Sequence, residues 1–197
     1  LHLAQHSILQ TTLDNFGLMK LSEFFLQRKN DQWMRREPPR EPVMMPLPEA
    51  RDIGILFLEE EGQQQALNQF VDTLVKDHKR VRALTYFERF HSNPYQFKFD
   101  YFTQKDISML GEVRSEKFSQ FIDFRFDYLF CVSRQVFLPF EYILMRCNAK
   151  FRIGFHQEGK EHLFDLMIQP QPDASLQALL AQLYEYTQKI SLSLHEH

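Results

Sequence analysis

Three consecutive runs between Phe124 and Phe155 constrain this chain more than any other feature. Residues 126–133 form an apolar run, Phe-Asp-Tyr-Leu-Phe-Cys-Val-Ser; residues 138–149 are amphipathic; residues 150–155, Lys-Phe-Arg-Ile-Gly-Phe, are apolar again. Pro139 suits the first turn of a helix, where a backbone N–H has no intrahelical partner to lose. The segment therefore reads strand, helix, strand. Two strands joined through a helix lie parallel, because an antiparallel pair needs only a short turn. A chain with this unit is committed to an α/β sheet with helices on its faces.

The same alternation extends in both directions. Asp52–Leu58 is apolar on both faces, as a central strand must be. Behind it Ala66, Leu67, Phe70, Val71, Leu74 and Val75 recur at helical spacing, and Val81–Phe87 forms a second strand. Phe97–Phe102 alternates apolar and polar, the period of a strand with one wetter face, and so belongs near an edge. Thr103–Glu112 reads as a loop and Ser115–Ile122 as a short helix. After the central unit come a loop over His156–His162, a last strand over Phe164–Ile168 and a final helix with Asp173 as its N-cap. The stripe of that helix is Leu176, Leu179, Leu180, Leu183, Thr187 and Ile190. The expected fold is a three-layer α/β sandwich with a mostly parallel sheet of five to six strands, Rossmann-like or flavodoxin-like, carrying an N-terminal helical extension.

That extension covers Leu3–Arg36, with a break or bend at Gly17; Leu18, Leu21, Phe24 and Phe25 recur at helical spacing in its second half. Five prolines between Glu37 and Pro48 permit neither a helix nor an interior strand. The expected organisation is a helical extension over residues 1–36, a proline-rich connector over 37–50 and an α/β domain over 51–194.

A length of 197 residues suits one such domain. The net charge of −3 opposes general attraction to nucleic acid or anionic membranes, and no DNA partner is expected. Twenty phenylalanines against six glycines imply a bulky core and few turns able to cradle phosphate. Cys131 and Cys147 fall inside a strand and a helix and read as small buried hydrophobes, which points to a reducing compartment. No apolar run approaches the roughly 20 residues that span a bilayer. No export signal is visible, so the expectation is a cytoplasmic protein without membrane insertion.

Several phrases resemble an uncharacterised bacterial family, a domain of unknown function. They are Phe102-Thr-Gln-Lys-Asp-Ile107 ahead of Gly111, Phe126-Asp-Tyr-Leu129, Leu138-Pro-Phe-Glu-Tyr-Ile143, Ala149-Lys-Phe-Arg-Ile-Gly154 and Phe164-Asp-Leu-Met-Ile168. The resemblance spans Asp52 to the final helix and implies a small cytoplasmic α/β protein; it brings no activity and no site residues. A weaker similarity is to the acceptor-side domain of heptosyltransferase-type glycosyltransferases, where Phe-Asp likewise precedes a helix and a strand ending Ile-Gly-Phe. The chain offers no second domain for a sugar nucleotide, so that similarity implies shared architecture without activity.

Ligands of open parallel sheets sit beyond the carboxyl ends of the strands. There the sequence places Glu59-Glu60-Glu61 after the first strand, Ser133 and Arg134 after the fourth, and His156 after the fifth. Phosphate-binding turns need glycines and bare amides at a helix N-terminus. Three glutamates repel phosphate, and neither G-x-G-x-x-G nor G-x-x-x-x-G-K-[ST] occurs, so no cofactor is expected. A divalent-ion site would need a further carboxylate, for which Asp106 is the candidate, while the helix dipole alone favours acidic residues here. His156, Glu158, Glu161 and His162 crowd one loop, but Gly159 interrupts any H-E-x-x-H spacing; a solvated turn, and no metal, is expected. Ser133 lacks the G-x-S-x-G elbow and an assignable base, so no catalytic residue is assigned. Glu59, Ser133, Arg134 and His156 remain the crevice candidates if the protein is a small transferase or hydrolase.

The positive signal lies at the end of the N-terminal helix. Arg28, Lys29, Trp33, Arg35, Arg36 and Arg40 combine cations with the chain's one tryptophan, a pairing suited to RNA or to an acidic protein surface. Glu23, Asp31, Glu37 and Glu41 dilute it, and a helix docked on its own domain with its cations solvated is the bland alternative. The leading expectation is a non-catalytic protein that binds a protein or ribonucleoprotein assembly, such as the ribosome, through this helix and the proline-rich arm. A small enzyme is the second reading, and a homodimer that exchanges N-terminal helices is the third.

Overall fold

The computed structural model describes residues 20–36, 40–58, 64–87, 99–108 and 110–193. Six strands form one sheet: β1 Asp52–Leu58, β2 Arg80–Phe87, β3 Asp100–Thr103, β4 Phe126–Val132, β5 Ala149–Phe155 and β6 Leu166–Ile168. Their order is β3-β2-β1-β4-β5-β6, and every neighbouring pair is parallel. This is the doubly wound order, which reverses between β1 and β4 and selects the Rossmann-like expectation over the flavodoxin-like one. The helices are α1 (residues 20–36), α2 Gln64–Lys76, α3 Glu116–Asp123, α4 Leu138–Arg146 and α5 Leu176–Ser193.

Two cores sandwich the sheet. Ile53, Ile55 and Phe57 of β1 point to the side covered by α2 and α5, where they join Leu67, Leu74 and Leu183. Leu56 of the same strand points the other way, into the core that α3 and α4 close with Phe118, Phe140 and Ile143. Alternate residues of one strand thus feed both cores, which is why the run reads as continuously apolar.

Element ends differ from expectation where side chains intervene. β6 begins at Leu166 rather than Phe164, because the Asp165 carboxylate is turned back to accept the Arg152 amide at 2.7 Å. α5 is capped by Ser175 rather than Asp173: Ser175 immediately precedes the first helical residue, and its hydroxyl accepts the Ala178 amide at 3.2 Å. Asp173 lies two residues earlier, in a turn. β3 begins at Asp100, opposite Leu84, and residues 97 and 98 of the expected strand lie outside the described residues, as do residues 3–19 of the expected helix. A 3-10 turn occupies Gln104–Asp106 in the expected loop, and the Asp106 carboxylate accepts both the amide and the hydroxyl of Thr103.

Residues 40–50 form a strap across the amino-terminal edge of the sheet. The Val43 amide donates to the Lys150 carbonyl at 3.1 Å, and the Tyr128 hydroxyl donates to the Met45 carbonyl. Leu47 is fully buried in the α2–α5 core, and its amide donates to Ser191 Oγ at 2.9 Å. His78 takes up a left-handed conformation (φ 60°) at the end of α2, and Lys79 follows. The buried Lys79 ammonium donates to the carbonyls of Leu47, Pro48 and Ala50 at 2.7, 2.9 and 2.7 Å. Nearby, Asp127 accepts the amides of Arg51 and Asp52 and the Lys150 ammonium. Burial pushes this carboxyl up, but the two amides and the ammonium outweigh it and hold its pKa below the usual aspartate value. The proline-rich stretch is thus stitched to the domain through its carbonyls and amides.

Candidate functional site

Helix α1 packs beside α4 through contacts that are mostly polar. Its Leu26 is buried, and so are Ser22 and Asn30 one turn to either side. The Asn30 amide donates to the Leu138 carbonyl at 3.4 Å and accepts from Arg146 at 3.1 Å; Arg146 also donates to the Lys29 carbonyl at 3.3 Å. The Arg146 guanidinium lies 3.7 Å from the centroid of the Tyr142 ring and 4.5 Å from that of Trp33. Gly111 seats the helix from the other side. It has φ +67°, and a Cβ on it would stand 2.6 Å from the Leu26 amide nitrogen.

Arg146 couples α1 to the domain through an aromatic stack that no aliphatic residue reproduces. Arg146→Ala is expected to shift the emission of Trp33 to the red and raise its quenching by acrylamide, with about 1–2 kcal/mol lost from the docking of α1. An unchanged emission spectrum would show that α1 is held without that stack.

The expected basic set is divided by this arrangement. Arg28, Arg35 and Arg36 are exposed. Trp33 is half-buried beneath Arg146, and Lys29 lies 3.6 Å from Glu112. Arg40 sits at the amino-terminal edge, where its guanidinium donates to the Ala149 carbonyl and pairs with Asp165 at 2.5 Å.

At the opposite edge of the sheet, Glu59 and its two following glutamates lie outside the described residues. The Ser133 hydroxyl donates to the Gln135 carbonyl at 2.6 Å, and the Arg134 guanidinium donates to the carbonyls of Pro172 and Ala174. Both residues line a recess of about 340 Å³ beside Ser175 and Phe155; His156 is exposed and outside that lining. Burial pushes the thiols of Cys131 and Cys147 up to about 12, so both are protonated at neutral pH. Among the described residues no three His, Cys, Asp or Glu side chains converge as a metal site.

The larger cleft, about 770 Å³, opens beyond the carboxyl ends of β1 and β4. Leu58 and Tyr86 bring in the ends of β1 and β2, Gln104 and Gln135 follow β3 and β4, and α1 closes the side with Leu26 and Gln27. A hydrogen-bond chain crosses its floor, from the Tyr86 hydroxyl to Gln104 Oε1 at 3.0 Å and from Gln104 Nε2 to Ser22 Oγ at 3.2 Å. On the far wall the Lys160 ammonium pairs with the buried carboxylate of Glu141. None of these polar residues stands out by motif. The one legible signal is Glu141, a lone charge inside the apolar start of α4.

A parallel sheet in doubly wound order, with its carboxyl-edge cleft walled by an N-terminal helix, places the protein among the Rossmann-like α/β folds. The chain belongs to a family of unknown function (DUF6913), whose model matches residues 23–190. That match opens inside α1 and includes the strap, beyond the start at Asp52 of the resemblance carried by the sequence phrases. No curated protein and no solved structure matches the chain. Among the described residues no helix is long and apolar enough to cross a membrane.

Proposed function

We propose that the protein is a non-catalytic binding module whose helix α1 presents its outer side to an acidic, partly apolar surface of a protein assembly. One observation carries this reading: α1 turns its more apolar stripe away from its own domain. Leu21 and Phe24 are 49% and 59% exposed, on the side of the helix opposite Leu26 and Asn30. At 100° per residue they share that side with Arg28 and Arg35. Large apolar side chains grouped on a surface mark a contact site more often than chance, and aromatic and arginine side chains carry most of the energy at protein interfaces. The reading is narrower than the full basic set, because Lys29 and Trp33 face the domain and Arg40 is engaged at the other edge. The proline-rich segment serves as the anchor of this arrangement and not as a second arm.

Capture from native lysate tests it, comparing the unaltered protein with an Arg28→Glu/Arg35→Glu variant. Both positions are exposed, so the variant should melt at the same temperature. Reversing two interface charges should reduce recovery of the specific partner by at least about ten-fold. Identical captured proteins at identical yield would defeat the reading. Loss of capture after nuclease treatment would replace the protein partner by RNA.

A further inference from the structure

The inner side of α1 walls a site that does not depend on the outer one. The large cleft lies at the reversal of strand order, where open parallel sheets hold their ligands. Glu141, 5% exposed, stands on its wall. One carboxylate oxygen accepts the Lys160 ammonium; the other has no hydrogen-bond partner among the described residues. That oxygen keeps some exposure on the cleft side, where it stands as an acceptor for a ligand's donor. Gln135 also lines the cleft, and its side-chain amide makes no hydrogen bond among the described residues. Beside these groups the Phe137 ring offers an apolar surface, fixed against Tyr86 at 5.0 Å and Phe140 at 4.5 Å.

The charges decide which ligand suits the cleft. Two carboxylates, Glu23 and Glu141, stand in the lining against one ammonium, Lys160, which Glu141 already neutralises. Among the described lining residues a phosphate would meet no unpaired cation and no glycine. Neighbouring hydroxyls behave differently, since each both donates and accepts. One can donate to the open oxygen of Glu141 while the next accepts from Lys160 or from the Gln135 amide, and the C–H side of a ring can lie on Phe137.

We infer that this cleft binds an uncharged, polyhydroxylated ring without phosphate. A free sugar and the ribose of a nucleoside supply the same chemistry, so the test separates them. Saturation-transfer NMR on the full chain uses maltose, adenosine and AMP as probes. Binding of maltose or of adenosine supports the site and identifies the source. AMP should bind at least about ten-fold more weakly than adenosine, or not at all. The bound probe should lose at least about ten-fold in affinity in Glu141→Gln, the loss of one hydrogen bond to a charged group. Should that variant fail to fold by circular dichroism, the exposed Gln135→Ala is read instead, with a similar loss expected. Silence from both neutral probes, AMP as tight as adenosine, or unchanged affinity in the folded variant overturns the inference. None of these outcomes touches the outer side of α1, whose test alters only Arg28 and Arg35.

Discussion

Replacing Gly111 by valine is expected to unseat helix α1. Two independent costs coincide at this position. Its φ of +67° lies in the left-handed region, where an ordinary residue costs about 1–2 kcal/mol and a β-branched one more. The new Cβ would also stand 2.6 Å from the Leu26 nitrogen, 2.9 Å from its Cα and 3.0 Å from the Phe25 carbonyl carbon. These are backbone atoms of a helix and cannot rotate aside, so overpacking adds about 1–3 kcal/mol. The total, about 2–5 kcal/mol, should appear as a lower denaturant midpoint, with Trp33 emission moving red before the sheet unfolds. Gly159 supplies the control. It has φ +76°, and a methyl group added there would meet nothing within 4 Å, so Gly159→Ala should cost only the backbone strain, about 1 kcal/mol, and leave Trp33 unmoved. Equal effects at the two glycines would mean that close approach to α1 contributes nothing.

Lys79→Met should be the most damaging exchange at the amino-terminal edge. Burial lowers the pKa of the ammonium, against the pull of Asp77 and Asp127, so what the lysine contributes is donors more than charge. Because its folded-state pKa lies below the unfolded value, stability rises as pH climbs between the two, and the neutral amine still offers two hydrogens. Methionine fills similar volume and offers none. The buried Ala50 carbonyl is then left unpaired, the Leu47 carbonyl keeps only the Ala50 amide at 3.2 Å, and that of Pro48 lies nearer water. At about 1–3 kcal/mol for a buried carbonyl left unpaired, a loss of about 2 kcal/mol is expected from urea unfolding at neutral pH. A loss below about 0.5 kcal/mol would show that water replaces the ammonium without penalty.

The parallel sheet is legible in the sequence because both faces of β1 and β4 are covered and their residues are apolar at both parities, whereas β5 carries Lys150 and Arg152 at one of its two. The α5 cap is less legible, since Asp173 and Ser175 are equally good N-cap types and only the position of the preceding turn separates them. The cleft has no periodic signature. Ser22 meets Gln104 across 82 positions and Lys160 meets Glu141 across 19, through loops whose geometry no local pattern encodes. The orientation of α1 is the instructive case. Leu21, Phe24 and Phe25 look like the buried stripe, yet the helix buries Ser22, Leu26 and Asn30 instead. Arg146 and Gln104 offer hydrogen bonds to that polar side, and satisfying them decides which way the helix rolls.

The strap also dictates a timetable. Its Leu47 amide is held by a hydroxyl 144 positions further along, on the last helix. Ribosomal synthesis releases the chain from its amino end, so residues 40–50 emerge long before Ser191 exists to receive them. Until then Leu47 has no finished core to enter, and the nascent chain carries it exposed until α5 is made. Completion of α5 is the event that shuts the domain, so a later-made segment locks an earlier one.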